Sequence, residues 1–127
     1  MVVDSMARRR SNSYINRIRA QLVLDWFNEL FNKCLFPCIS GPAKNDASVN
    51  FGFSPADIVD FIANDITMSD YYRTNKDYNG NPNIEHYVYK PCVSRSDKRR
   101  IYVKIKCTFD NNILVDTFIT SFKPKDD

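Results

Sequence analysis

Between Arg99 and Lys123 the chain alternates apolar and polar residues with unusual regularity. Ile101, Val103, Ile105, Cys107 and Phe109 are interleaved with Arg100, Tyr102, Lys104, Lys106 and Thr108. A period of two marks a strand with one buried face. Asp110-Asn111-Asn112 tolerates left-handed backbone, so the chain reverses there, and Ile113 to Phe122 returns as a second, β-branched and aromatic strand. Upstream the period lengthens. Ile15, Ile18, Leu22, Trp26, Leu30 and Cys34 recur at steps of three and four, widened by Val23, Phe27 and Phe31. This predicts a helix from a cap at Ser11 or Ser13 to about Leu35, packed on a sheet and ended by Pro37. Residues 39–50 read as loop, punctuated by Ser40-Gly41-Pro42.

A sharper helix start follows at Ser54, with Pro55 in the first helical position, Asp57 at N3 and Phe53 placed to staple onto Ile58. That helix runs from 55 to about 64. Residues 66–75 predict a single capped turn, and Asn79-Gly80-Asn81-Pro82 a turn-rich connection. Ile84 to Tyr89 is a strand with Ile84, His86 and Val88 on one face and Glu85, Tyr87 and Tyr89 on the other; Pro91 stops it. Helices first, then antiparallel strands, predict an α+β fold with the N-terminal helices on one face of an antiparallel sheet.

The length of 127 residues suits one domain, expected over 11–127, with residues 1–10 as a basic flexible arm. No apolar run is long enough to span a bilayer, so no membrane association is expected. Arg8-Arg9-Arg10 is not followed by an apolar segment, which argues against a secretory signal; cytoplasm is the expected compartment. Cys34 and Cys38 are spaced CxxxC, but Cys92 and Cys107 lie far off. Structural thiols are favoured over a four-cysteine zinc site, and neither metal nor cofactor is expected.

The net charge of +3 hides a strong segregation. Gln21 to His86 holds nine acids and four bases, whereas Lys90 to Lys106 holds seven bases and one acid, Asp97. The outward face of the first hairpin strand therefore presents Tyr102 among Arg100, Lys104 and Lys106, a surface suited to a polyanion. The competing reading is an ordinary solvated basic face.

Five short motifs occur in order: FGFSPADIVDFI, Ser69-Asp70-Tyr71-Tyr72-Arg73, His86-Tyr87-Val88-Tyr89-Lys90-Pro91, Ile101-Tyr102-Val103-Lys104-Ile105 and Ser121-Phe122-Lys123. From Phe51 to Lys125 the chain resembles the motility quorum-sensing regulator (MqsR) toxins, RNA interferases of toxin–antitoxin pairs with a RelE-like α+β fold. The resemblance implies a catalytic set of Arg73, His86, Tyr102 and Lys123, with arginine at 73 and histidine at 86 departing from the family's lysine and glutamine. It implies RNA as substrate, a cognate antitoxin that binds zinc and carries a helix-turn-helix part, and products ending in a 2′,3′-cyclic phosphate and a 5′-hydroxyl. Insertions around 75–83 and 92–98 depart from the family pattern.

RNA cleavage without a metal requires deprotonating the 2′-hydroxyl, stabilising the phosphorane and protonating the 5′-oxygen. Histidine is the side-chain type whose unperturbed pKa lies near neutrality, so His86, the single histidine, is the expected acid or base. Tyr102 would share proton transfer or position the phosphate, and Arg73 and Lys123 would stabilise developing charge. Lys90, Arg100, Lys104 and Lys106 would hold flanking phosphates, with Tyr87 or Tyr89 stacking a base if exposed. The sequence thus predicts a metal-independent endoribonuclease toxin; the alternative is a non-catalytic RNA- or antitoxin-binding module that keeps the fold.

Overall fold

The computed structural model describes residues 2–125, with side chains from residue 14 onward. Helix α1 (Val2–Asn32) begins ahead of the expected serine cap and ends before Leu35. Residues 2–10, expected as an arm, continue its backbone; their side chains lie outside the described residues. The helix ends because Cys34 turns left-handed, at φ 56°. The Leu35 N–H then reaches the Leu30 carbonyl at 2.9 Å and the Cys34 N–H the Phe31 carbonyl at 3.1 Å, a Schellman ending with a non-glycine residue at its left-handed position.

The buried side of α1 is Ala20, Val23, Leu24 and Phe27, whereas Ile15, Ile18 and Leu22 of the expected stripe stay more exposed. The small Ala20 lets the sheet approach closely, and the Tyr89 hydroxyl donates to the Ala20 carbonyl at 2.6 Å. That contact fixes which side of the helix faces inward.

The expected loop at 39–50 is instead a short strand β1 (Cys38–Ile39) and a helix α2 (Gly41–Phe51). Ser40-Gly41-Pro42 is a helix start: Ser40 Oγ accepts the Ala43 N–H at 3.1 Å, and Pro42 sits in the first turn, where no backbone donor is needed. Gly52, at φ 69°, closes α2 in the left-handed region. Helix α3 (Pro55–Asn64) carries a reciprocal cap between Ser54 and Asp57. Phe53 packs on the rings of Phe51, Phe61 and Phe122.

A 3₁₀ turn (Met68–Asp70) realises the capped turn expected after α3, but the chain then extends as strand β2 (Tyr71–Lys76), which the sequence reading missed. Strands β3 (Ile84–Tyr89), β4 (Ile101–Asp110) and β5 (Ile113–Pro124) follow as expected. The sheet order is β1-β5-β4-β3-β2, antiparallel except where β1 runs parallel to β5. Asn111 and Asn112, at φ 50° and 66°, form the two-residue turn between β4 and β5, matching the right-handed strand twist. The protein is therefore α+β, three N-terminal helices on one face of a five-stranded sheet. Ile101, Val103, Ile105, Cys107, Phe109, Tyr87 and Tyr89 meet α1 and α3 in one core. No helix among the described residues is long and apolar enough to cross a membrane.

Candidate nucleic-acid interface

The face of the sheet opposite the helices is set by register. On β4, Tyr102 lies across from Lys123 of β5, and Lys104 lies between Val88 of β3 and Ser121 of β5. Farther along, Lys106 faces His86 of β3. Arg73 of β2 aligns with Val88, so it falls in the row of Lys104 and Ser121.

One end of this face is a groove of about 370 Å³ lined by Lys90, Tyr102, Lys104, Ser121, Lys123 and Lys125. Four of these six residues are lysines and none is acidic. The Lys123 ammonium lies 5.6 Å from the centre of the Tyr102 ring, so a cation and a phenol stand together at the groove's base. A bulge falls between Tyr71 and Arg73 of β2. Tyr71 packs inward on Tyr87 and Tyr89, while Tyr72 is half exposed. Its ring carries the Lys90 ammonium 3.3 Å from its centre and the Arg73 guanidinium at 5.2 Å. An aromatic plate held by two cations thus adjoins the groove. Sequence reasoning missed Tyr72 because β2 was read as a turn; two adjacent tyrosines at a strand start, one inward, were the available signal.

The four residues expected to act together fall into two groups. Tyr102 and Lys123 are direct cross-strand neighbours, and Arg73 lies two strands from β4 on the Tyr72 side. His86 stands apart. Its neighbour Lys106 is four residues from Tyr102 along β4, about 13 Å at the rise of a strand. Its ring is mostly buried, with Nε2 3.1 Å from Asp77 Oδ1 and Nδ1 enclosed without a partner among the described residues. The His86 hydrogen bond, assisted by the backbone N–H groups of Asn81 and Asn79, holds the Asp77 carboxyl below the usual aspartate range. The pair ties the β2–β3 connection to the sheet.

Tyr87 is not available to a base. It is fully buried on the helix side, and its hydroxyl donates to Glu85 Oε1 at 3.0 Å. Burial first, then the Glu85 charge, pushes its phenol pKa far up. The same Glu85 carboxylate pairs with Arg19, whose guanidinium also donates to Asn112 and stacks 4.6 Å over Phe109, pinning α1 to the hairpin. The physical reason for the correction is alternation: the even positions of β3 face the groove side, the odd ones the helices. Arg100 lies at the groove's edge, its Nη1 donating to the Lys90 carbonyl at 2.8 Å. Lys106 lies outside the groove lining, beside His86.

Among the described residues no three His, Cys, Asp or Glu side chains come together as a metal-ligand set. Cys34 and Cys38 are exposed, Cys92 is half-buried and Cys107 is buried, all as free thiols.

Neither the curated proteins nor the solved structures include a significant match to this chain. A family described as "Motility quorum-sensing regulator, toxin of MqsA" matches residues 19–124, which takes in every groove residue except Lys125, the tyrosine plate and the core. The chain belongs to this motility quorum-sensing regulator family, the toxins of MqsA.

Proposed function

We propose that this toxin is a metal-independent endoribonuclease whose reaction centre is the groove around Tyr102 and Lys123. The observation that carries this reading is the pairing of a phenol with an ammonium in a groove whose remaining charged lining is entirely cationic. A phosphodiester seated there has its non-bridging oxygens facing Lys123, Lys104 and Lys90, with Arg73 reaching in from the rim. These charges favour the phosphorane formed when the 2′-oxygen attacks phosphorus and its proton leaves to water. As the bond from phosphorus to the 5′-oxygen breaks, Tyr102 donates a proton to that oxygen. The products are a 2′,3′-cyclic phosphate and a 5′-hydroxyl. The Tyr72 plate supports a base beside the phosphate, replacing Tyr87 in that role. His86 acts as a positioning residue through Asp77 rather than as the acid or base. The cognate antitoxin is of the MqsA kind named in the family description.

Single-stranded RNA incubated with the protein in excess EDTA is expected to give discrete cuts with those ends. Tyr102→Phe and Lys123→Met are each expected to lower the rate by about 10²-fold or more at unchanged fold, and His86→Ala by less. Absence of cleavage, or cleavage only on adding a divalent metal, refutes the reading. A second reading, a non-catalytic RNA- or antitoxin-binding module, is favoured by the engagement of His86 with Asp77. Tight RNA binding without turnover would select it.

A further inference from the structure

We infer that the loop joining β3 to β4 is a second RNA contact, a phosphate-binding flank carried by Arg95 and Lys98; this rests on the RNA reading of the groove. The loop is built rather than slack. The Cys92–Arg100 bridge and the Ile101 N–H to Pro91 carbonyl bond at 2.8 Å close its base. The Val93 N–H to Arg99 carbonyl bond at 2.9 Å extends the ladder, and Ser94 Oγ accepts the Asp97 N–H at 3.0 Å. At its tip the charges are sorted. Asp97 is fully engaged by Arg99, through the guanidinium and the backbone N–H. Arg95 and Lys98 are exposed, and among the described residues neither has a carboxylate within ion-pair distance.

The two cations line one wall of a cavity of about 620 Å³ that opens beside the groove. Asp65 and Asp70 also line it, Asp70 lying 3.9 Å from Arg100, so among the described residues the unpaired cations of this lining are Arg95 and Lys98 of the loop. Arg100 connects the two regions: it lines this cavity while donating to the carbonyl of Lys90, which lines the groove. A polyanion leaving the groove past Lys90 therefore meets Arg100, Lys98 and Arg95 next. A contact of this kind reads backbone charge and not base identity. It governs how strongly a long RNA is held, while the chemistry stays with Tyr102 and Lys123.

The test uses single-stranded RNA with every 2′-hydroxyl methylated, which the proposed reaction cannot cut. The probes are a short oligonucleotide that fills only the groove and the same sequence doubled and trebled in length. Binding to the full chain is followed by fluorescence anisotropy across a salt series. Wild-type affinity is expected to rise with length, and Arg95→Ser/Lys98→Ser to lose that rise while binding the short probe as before. Each phosphate contact contributes about 0.7 to the salt slope on a single strand. Between about 50 and 200 mM salt the long probe should therefore lose about sevenfold more affinity for the wild type than for the variant. Arg95→Lys/Lys98→Arg, which keeps the charges, should behave as wild type. An unchanged length dependence in the serine variant overturns the inference, and so does an equal loss on the short probe, which would mean that the loop acts by shaping the groove. If wild type binds no probe of any length, the RNA reading itself falls, and this inference with it.

Discussion

Replacing Tyr87 by phenylalanine separates the two faces of β3 in a single experiment. The substitution removes one hydroxyl that is buried on the helix side and donates to the Glu85 carboxylate. Hydrogen bonds to charged groups contribute about 1.5–3 kcal/mol, and Glu85 keeps Arg19 as a partner, so the lower end applies. At pH 7 the variant should be less stable by about 1.5 kcal/mol. The gap should then close as the solution becomes alkaline. The folded-state pKa of Tyr87 is raised well above its ordinary value of 10.0 by burial. Its contribution is thus complete below pH 10 and is lost as pH rises, because the unfolded chain ionises there while the folded one does not. Between pH 10 and pH 11 that difference costs the wild type about 1 kcal/mol, and the phenylalanine variant is spared it. Urea unfolding of both proteins from pH 7 to pH 11 reads the two stabilities directly. Tyr89 and Cys107, whose acid groups are also pushed up by burial, remain in both proteins and cancel in the difference. Stabilities that agree within about 0.5 kcal/mol at pH 7, with a gap independent of pH, would refute the buried placement. Loss of RNA affinity with stability intact would restore Tyr87 to the binding face.

Two further predictions concern the frame of the site. Cys34→Gly should raise stability by about 1 kcal/mol, because glycine adopts the left-handed ending of α1 without the Cβ clash; a denaturant midpoint below wild type would contradict this. Asp77, with its pKa lowered by His86 and by backbone N–H groups, contributes stability that is present above the ordinary value of 3.8 and is lost as pH falls through the folded value. Melting temperatures recorded below about pH 4 should therefore drop more steeply for wild type than for Asp77→Asn, and parallel curves would remove the pair from the account of the β2–β3 connection.

The long alternating run made β4 and β5 legible, since one period accounts for burial at every position from Ile101 to Phe109. The same alternation put Tyr102 with Arg100, Lys104 and Lys106 on one surface of β4, and the family resemblance added Lys123. The misreadings share a cause: local signals admit two meanings that only packing separates. Ser40-Gly41-Pro42 is equally good punctuation for a loop and for a helix start, and the burial of Ala43 and Ala47 against β5 decides it. Six residues of β2 look like a turn until β3 supplies a partner for their backbone. On α1 the larger apolar residues defined a stripe, yet the small Ala20 is the one that lies under Tyr89. His86 was marked by the motif resemblance and by its chemistry, and its distance from Tyr102 follows from strand register, which a motif does not encode.

The position of β5 between β1 and β4 has a consequence for how the toxin comes into being. β5 is the latest of the described elements to be synthesised, yet it supplies Ile119 and Phe122 to the core and Lys123 to the groove. α2 packs on it, and β1 has no other strand to pair with. On the ribosome, the helices emerge long before the surface they are meant to cover. Tertiary closure and the completed cationic groove arrive together, with the same short stretch of chain. A growing polypeptide that has not yet released β5 carries neither a finished interior nor the phenol–ammonium pair, so the proposed reaction centre appears only once the fold that contains it can close.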